Sequence, residues 1–467
     1  LPVIPDTFTL VPRQVKTDKG YKPDSGVVSQ IKTVARLFKE SEQIIVATDA
    51  GREGELIFRY LYHYTGCATP FVRLWISSLT DKAIREGLRN LEAGDKYDNL
   101  YLAAKARSES DWLVGINGTQ ALSIAAGHGT YSVGRVQTPT LAMVCARYWE
   151  NRRFTPEPFW QLHIATDGCD GDTVKFSSSE KWEEKEPATE LYNKVKEAGT
   201  ATVTKAERKE KAEETPLLYD LTTLQKEANA KHGFTAEHTL EIAQKLYEKK
   251  LVTYPRTGSR YIPEDVFAEI PKLLSFIGSL PEWKGKVNPK AVPTRRSVDG
   301  GKVTDHHALL VTGEKPLFLS KEDNTVYQMI AGRMIEAFSE KCVKDTATVT
   351  AECAGVEFVA KGCIIRQAGW RAVYGVEDKE ETAIPGWREG DTLPLKGCSI
   401  TEGKTKPKPL HTEATLLSAM ETAGKEIEDD ALRQALKDCG IGTPATRAAI
   451  IETLFKRGYM ERCKKSL

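Results

Sequence analysis

The chain has 467 residues, of which 40% are hydrophobic and 28% are charged, and its formal net charge is +1. This length predicts two to four domains with cores of their own, and no apolar run approaches the roughly 18 residues that a membrane-spanning helix requires. Nine cysteines without a C-x-x-C pair argue against a disulfide scaffold and a zinc module, so a cytosolic location is expected.

The first informative stretch is EQIIVATDAGREGELIFRYLYHY, residues 42–64. Its apolar run Ile44–Val46 is typical of a strand buried on both faces of a parallel sheet. The pattern becomes helical after Gly51, which places Asp49 at the carboxyl end of the strand, where open α/β sheets bind ligands. Glu53 then opens the helix, and two carboxylates across such a turn suit Mg²⁺. Alternatively, Asp49 caps the helix and Glu53 complements its dipole.

The middle of the chain divides into strands, connections and helical blocks. Alternating patterns predict strands at VKFSSS, near DTATVTAEC and at VEFVAKGCIIR. Polar, charged or proline-rich composition predicts connections at residues 177–190, 204–216, 280–305, 376–391 and 401–409. Helical spacing predicts helices within residues 217–250 and 413–460.

One predicted helix leads into a tyrosine at position 254. Thr235 is a candidate N-cap for this helix, and Gln244 and Glu248 lie one turn apart on it. A Gln/Glu pair on a helix is usually a solvated face. Because Tyr254 follows within six residues of Glu248, the alternative is that the pair supports a site.

The tyrosine lies in LVTYPRTGSRY, residues 251–261. Leu251–Thr253 suits a strand, and Pro255 ends regular pairing because it has no backbone N–H. Tyr254 is either a core aromatic with its hydroxyl capped nearby or a nucleophile that attacks an anionic group held by Arg256. This segment alone favours the core aromatic.

Taken together, seven segments in order resemble the type IA DNA topoisomerases and, within them, the bacterial topoisomerase III group. The segments are ATDAGREGELIFRYL, ARSESDWLVGINGTQAL, YSVGRVQTPTLAMV, TPLLYDLTTLQKEAN, LVTYPRTGSRYIP, DHHALLVT and GIGTPATRAAIIETLFKRGYM. The resemblance implies an enzyme that cuts one DNA strand through a 5′-phosphotyrosine link, passes another strand and reseals the cut. The chain has no G-x-x-x-x-G-K-[ST] loop, consistent with resealing without ATP.

The resemblance also implies roles for individual residues. Tyr254 matches the nucleophile, and Arg256 and His306 match contacts to the scissile phosphate. Asp49 and Glu53 match Mg²⁺ ligands. The matched residues that flank the nucleophile are Gln244, Glu248 and Thr253. Those that handle the single strand are Arg107, Arg135, Gln137 and Thr446, although Arg135 after Gly134 could instead cap a helix.

The expected fold class is a multidomain α/β and α+β toroid. We expect a partial Toprim domain at 1–95, a helical groove domain at 96–150 plus 412–467, a strand-rich arch at 151–213 plus 341–411, and a helical tyrosine domain at 214–340. In the family these parts enclose a hole, and the arch lifts to open it.

The resemblance further implies which partners the chain has. They are single-stranded DNA, negatively supercoiled or catenated duplex DNA and, as a candidate, a helicase. The expected protein is a monomer in the cytoplasm, associated with the nucleoid and not with a membrane.

Three features depart from the family pattern. Gly51 stands where many members have a second aspartate, and Gly258 stands where many have a polar group. The third is that the chain resembles the family only from a point downstream of the first Toprim strand, which carries a glutamate and a lysine at the scissile bond. We therefore expect a truncated form with poor plasmid relaxation. The alternatives are a single-strand DNA-binding fragment that lacks the chemistry, and a Toprim nuclease or primase, which would leave Tyr254 without a role.

Overall fold

The computed structural model describes residues 7–18, 20–169, 171–287, 292–375, 381–423 and 440–467. Its α-helices are α1 Ser25–Glu40, α2 Arg52–Tyr64, α3 Asp81–Arg89, α4 Asp98–Ala126, α5 Gln137–Arg153, α6 Lys185–Ala198, α7 Leu221–His232, α8 Ala236–Glu248, α9 Glu264–Phe267, α10 Ile270–Ser279, α11 Lys321–Phe338, α12 Glu413–Thr422 and α13 Pro444–Lys456. Its strands are β1 Gln14–Thr17, β2 Gly20–Pro23, β3 Ile44–Val46, β4 Phe71–Arg73, β5 Glu92–Ala93, β6 Pro158–Asp167, β7 Thr173–Ser178, β8 Thr200–Glu213, β9 Cys342–Cys353, β10 Val356–Gln367 and β11 Thr392–Lys404. Among these helices, none is both long enough and apolar enough to cross a membrane.

The N-terminal part contains a three-stranded sheet in the order β3-β4-β5. β3 runs parallel to β4, as the apolar run predicted, and β5 runs antiparallel to β4. The prediction that β3 is buried on both faces is wrong for the described residues. Val46 is buried, but Ile45 points to the opposite face and is 48% exposed. β3 is the edge strand of this sheet, and only one of its faces is covered.

The strand-rich part is a closed barrel in the order β10-β7-β6-β11-β8-β9. Its interior is apolar and includes Leu162, Phe176, Val203, Val349 and Phe358. The strands predicted from alternation are present as β7, β9 and β10.

Several predicted connections belong to regular elements instead. Most of residues 204–216 lie in β8, which pairs with β9 from Thr202 to Glu213. The charged composition hid the strand pattern, because most side chains of β8 after Val203 face outward into solvent. The backbone of β8 forms its hydrogen bonds with β9. Likewise, β11 extends through residues 401–404, and residues 177–190 include the end of β7 and the start of α6.

Two helical cores follow the predicted helical blocks. One joins α7, α8, α10 and α11 around residues such as Leu224, Ile242, Leu246, Ile330 and Met334. The other joins α5, α12 and α13 around Val144, Leu416, Met420, Ile451 and Leu454, with Ala236 of α8 packed among them. The predicted helical residues 424–439 lie outside the described residues, as do 288–291 and 376–380 of two predicted connections.

Candidate active site

Asp49 lies in the turn between β3 and α2, as the sequence predicted. α2 begins after Gly51, which makes no side-chain cap, so Asp49 does not cap this helix. The Asp49 side chain is 58% exposed. Thr48 Oγ1 donates to the Gly54 carbonyl at 2.9 Å, and a Cβ on Gly54 would lie 2.2 Å from the Asp49 carbonyl oxygen. The turn is therefore packed tightly against the first turn of α2, and the Asp49 carboxylate does not take part in capping that helix.

Gly51 meets a carboxylate from a distant part of the chain. A Cβ on Gly51 would lie 2.5 Å from Asp305 Oδ1 and 2.8 Å from Oδ2. Burial raises the pKa of the Asp305 carboxyl, Asp49 and Glu53 raise it further, and His306 and Arg52 oppose them. The space next to the glycine that replaces the family's second aspartate is thus occupied by Asp305.

The loop that carries Tyr254 is held by a neighbouring segment rather than by a regular strand. The prediction of a strand at Leu251–Thr253 is wrong, because the structure has only a single antiparallel bridge from Val252 to Val311. Thr253 N–H donates to the Leu310 carbonyl at 2.9 Å, and Thr253 Oγ1 accepts from Leu310 N–H at 3.0 Å. Pro255 prevents this pairing from continuing.

The hydroxyl residues after Tyr254 also have structural partners. Thr257 Oγ1 donates to the His306 carbonyl at 2.8 Å, and Ser259 Oγ donates to the Lys302 carbonyl at 3.0 Å. Thr257 and Ser259 are buried. These bonds fix the tyrosine loop relative to the segment that carries His306.

His306 lies between Tyr254 and Asp49. The ring centroids of Tyr254 and His306 are 4.6 Å apart, and His306 Nε2 lies 3.5 Å from Asp49 Oδ1. That nitrogen is buried and has no hydrogen-bond partner among the described residues. Nδ1 of the adjacent His307 instead lies 2.8 Å from the Ala308 carbonyl, and burial lowers the pKa of this imidazole. The structure therefore distinguishes the two histidines, since His306 is the one that faces the tyrosine.

The Tyr254 phenol is not activated by its surroundings. Burial is the largest effect and raises its pKa, Arg256 lowers it, and Asp49 and Tyr247 raise it. Arg256 is exposed, and within the described ranges no ion pair involves it. Its guanidinium is therefore available to an anionic ligand beside the phenol.

Gln244 and Glu248 join the site through α8. Gln244 Nε2 donates to Glu248 Oε1 at 3.1 Å. Glu248 lines a cavity of about 1040 Å³ together with Thr253, Tyr254 and His306. Glu248 is exposed and Gln244 is half-buried, so the solvated face and the support of a site both remain predictions for this pair.

The site offers ligands that fit a loosely held Mg²⁺. Asp49 and Glu53 present exposed carboxylates, and the unpartnered His306 Nε2 faces Asp49. Among the described residues, no group of three His, Cys, Asp or Glu side chains is arranged to hold a metal ion. Mg²⁺ commonly takes one or two carboxylates and keeps several waters, so Asp49 and Glu53 are the residues that would hold it.

The candidate single-strand residues lie on α4, α5 and α13. Arg135 does not cap a helix; its Nε and Nη2 lie 3.1 Å and 3.3 Å from the two carboxylate oxygens of Asp111 on α4. Arg107 is one turn before Asp111 on the same helix, and the ion pair of Asp111 is with Arg135.

Gln137 and Thr446 have partners within the chain. Gln137 is buried, donates to Ser132 Oγ at 3.0 Å and accepts from Arg457 at 2.5 Å. Thr446 shares a capping box with Thr443 at the start of α13. The bond from Arg457 connects the start of α5 to the residue that follows α13, whereas the capping box lies within α13.

Two polar clusters were missed by the sequence analysis. Arg73 is fully buried beneath the Asp49 turn, and a lone arginine in the apolar run FVRLW was the available signal. Asp265 Oδ2 accepts from both Ser78 Oγ and Thr80 Oγ1 at 2.8 Å. This contact links positions almost 190 residues apart, and no local pattern indicates it.

Comparisons with known proteins point to one family. A family model described as DNA topoisomerase matches residues 95–467. DNA topoisomerase 3 of Bacillus subtilis is 38% identical over 479 residues, which cover 99% of this chain and 64% of that protein. DNA topoisomerase 3 of Bacillus licheniformis is 38% identical over 483 residues, covering 100% of this chain and 65% of that protein. The chain thus spans slightly less than two thirds of the length of these relatives.

A solved structure, full-length topoisomerase I from Thermotoga maritima, superposes with a TM-score of 0.72. The match covers 96% of this chain and 71% of that one at 24% identity, which shows a shared fold.

Proposed function

Because the chain belongs to the DNA topoisomerase family, we propose that it cuts one DNA strand by attack of Tyr254, lets a strand pass and reseals the cut without ATP. The observation that carries the proposal is the contact among Tyr254, His306 and Asp49, which brings a phenol, an imidazole and a carboxylate together from separate parts of the chain. Repeated cycles would relax negatively supercoiled DNA and separate catenated duplexes.

In the cleavage step, a bond forms between the Tyr254 oxygen and phosphorus while the bond from phosphorus to the 3′-oxygen breaks. The phenol loses its proton, and the departing 3′-oxygen gains one. A tyrosine has a pKa near 10 and burial raises that of Tyr254, so attack at neutral pH needs help. The free guanidinium of Arg256 can bind the phosphate and stabilise the charge that builds on it.

Resealing is the same step in reverse. The aryl phosphodiester formed by Tyr254 retains the energy of the broken bond, so the 3′-hydroxyl can attack it without ATP. His306 Nε2 lacks a hydrogen-bond partner among the described residues, so this nitrogen would be able to bind the scissile phosphate. Thr253 holds the tyrosine loop against the segment of Leu310, and Gln244 and Glu248 would flank the nucleophile.

Asp49 and Glu53 would hold Mg²⁺, which supplies positive charge against the DNA phosphates. The groove candidates Arg107 and Arg135 would bind phosphates of a single strand, and Gln137 and Thr446 would lie along it. We propose single-stranded, supercoiled and catenated DNA as substrates, a monomeric enzyme at the bacterial nucleoid, and a helicase as a partner.

The decisive experiment is covalent trapping on a labelled single-stranded oligonucleotide, followed by a denaturing gel. The complete gene product that includes these residues is compared with its Tyr254→Phe and Tyr261→Phe variants. Tyr254→Phe should abolish the protein–DNA adduct and leave binding, measured by fluorescence anisotropy, nearly unchanged, because only the attacking oxygen is lost. Tyr261→Phe, a change in the same loop, should form the adduct normally.

Two outcomes would contradict the proposal. An adduct that survives in Tyr254→Phe would identify another nucleophile. Binding without any adduct in the unaltered protein would instead favour a single-strand DNA-binding module without the chemistry.

A further inference from the structure

Arg73, the last residue of β4, is completely buried beneath the turn that carries Asp49. Its Nη1 donates to the carbonyls of Val46 at 2.9 Å and Thr48 at 2.8 Å, and its Nη2 donates to that of Asp49 at 2.5 Å. Its Nε donates to Glu55 Oε2 at 3.1 Å. One guanidinium thus binds the exit of β3 and the first turn of α2.

The Val46 carbonyl also accepts from Leu74 N–H at 2.9 Å, and the Asp49 carbonyl from Gly51 N–H at 2.8 Å, whereas the Thr48 carbonyl accepts from Arg73 Nη1. The pairing of β3 with β4 ends at Val46 and Arg73, and β3 is the edge of the sheet. Backbone polar groups withdrawn from water need partners. Beyond Val46, where the pairing of β3 with β4 has ended, the Arg73 side chain therefore donates hydrogen bonds to the backbone carbonyls of Thr48 and Asp49.

Glu55 connects the same network to α2. It is completely buried, and it accepts from Arg59 Nε at 2.8 Å as well as from Arg73. It follows Glu53 by two residues in the first turn of the helix. Arg73 is thereby tied to the backbone of Asp49 and, through Glu55, to the helical turn of Glu53.

We propose that Arg73 is the positioning residue for the two carboxylates that hold Mg²⁺, an inference that rests on the proposed function. It contacts neither DNA nor metal, and it fixes the direction in which Asp49 and Glu53 point. The planar fork of arginine suits this task because it reaches several acceptors at once, which a lysine ammonium cannot do in the same geometry. Partners of this kind, one layer behind metal ligands, typically change metal affinity 10- to 100-fold when removed.

The test separates positioning from stability. Arg73→Met/Glu55→Gln removes both charges of the buried pair, and Arg59, the other partner of Glu55, keeps its ion pair with Asp98 at 2.7 Å. Arg73→Lys keeps the charge and loses the fork. Mn²⁺ binding is measured without DNA by electron paramagnetic resonance of the free ion, and folding is monitored by circular dichroism and thermal melting.

Both variants should stay folded and should raise the Mn²⁺ dissociation constant about tenfold or more. The Mg²⁺ concentration for half-maximal adduct formation should rise in parallel, while single-strand binding without metal stays the same. The control Arg333→Met/Glu336→Gln removes another buried pair, in which Nε and Oε2 lie 2.9 Å apart. It should leave the Mn²⁺ constant unchanged.

Folded variants that bind Mn²⁺ like the unaltered protein would overturn the inference, as would an unaltered protein that binds no Mn²⁺. If the double variant unfolds, the Mn²⁺ dissociation constant of Arg73→Lys decides whether Arg73 positions the carboxylates. A failure of the proposed function would show itself differently, as the absence of a Tyr254 adduct. The Mn²⁺ titration contains no DNA, so it tests the role of Arg73 whether or not the adduct forms.

Discussion

The part of the chain that carries Tyr254 makes two contacts of opposite character. Toward the N-terminal sheet the contact is polar: Asp265 meets Ser78 and Thr80, and His306 faces Asp49. Toward α12 and α13 it is closely packed, with Ala236 inside an apolar core and its N–H donating to buried Glu413 at 2.7 Å.

This difference predicts which contact opens more easily. Separated hydroxyls and carboxylates regain hydrogen bonds from water, so parting a polar contact costs little net free energy. Parting an apolar core exposes surface at roughly 25 cal/mol per Å². The contact that assembles Tyr254 with Asp49 is thus the weaker of the two, which suits the proposed cycle, in which the site opens and closes.

The largest expected effect comes from damaging the apolar contact. Leu416 is fully buried in the core shared by α5, α12 and α13. Leu416→Ala should lower the free energy of unfolding by about 2–5 kcal/mol because it leaves a cavity. Urea unfolding followed by fluorescence checks this value, with the exposed Leu317→Ala as the control, which should change it by less than about 0.5 kcal/mol.

A smaller effect is expected from damaging the polar contact. Asp265→Ala removes the acceptor of two hydroxyl bonds without touching the catalytic candidates. Hydrogen exchange followed by mass spectrometry should show faster exchange in residues 74–83 and 263–270 and little change in α12 and α13. The control is Asp299→Ala, which breaks an exposed ion pair with Lys302. Equal exchange of residues 74–83 and 263–270 in the two variants would contradict the idea that the polar contact opens more easily.

The same contact should resist acid. Burial raises the pKa of Asp265, but the hydroxyl bonds from Thr80 and Ser78 outweigh this effect and leave it below the ordinary value of 3.8. A carboxyl with a lowered folded pKa stabilises above its unfolded pKa, and this contribution is lost as pH falls through the folded pKa. The difference in unfolding free energy between Asp265→Ala and the unaltered protein should therefore stay constant from pH 5 to 8, as urea unfolding at several pH values can check.

The smallest expected effect is on the pH dependence of adduct formation. Asp49 raises the pKa of Tyr254 from across the polar contact, whereas Arg256 lowers it from the same loop. Arg256→Ala should shift the pH–rate profile upward, and Asp265→Ala should shift it downward if opening removes Asp49 and admits water. Rates of adduct formation from pH 6 to 10 measure both shifts, and shifts in the same direction would show that the contact does not influence the phenol.

The sequence predicted the elements whose signal is local. Ile44–Val46 and the helical pattern after Gly51 placed Asp49 at a strand end, and the cap of Thr235 located α8 correctly. Residues 204–213 could not be recognised as a strand, because β8 is held by its pairing with β9 rather than by alternating side chains.

The support of the site was the least predictable part. Apart from its bond to Glu55, Arg73 acts through carbonyl groups, which every residue has, so most of its partners leave no trace in the sequence. Asp305 meets Gly51 across some 250 residues of chain, and the glycine alone indicated only a missing ligand. Apart from the family resemblance, the sequence also did not indicate that His306, rather than His307, faces Tyr254. The segment of His306 is held by a bond from Thr257, which is 49 residues away in the chain.

The division of the site between two parts of the chain also has a consequence for timing. Asp49 and Glu53 come with the N-terminal sheet, whereas Tyr254 and His306 come with the helices on the other side of the polar contact. In the proposed reaction, the phosphate attached to Tyr254 would move away from the two carboxylates whenever that contact parts. Neither cutting nor resealing would then proceed while the contact is open. Strand passage and bond chemistry would therefore occur at different times, and the chemistry would restart when the contact closes.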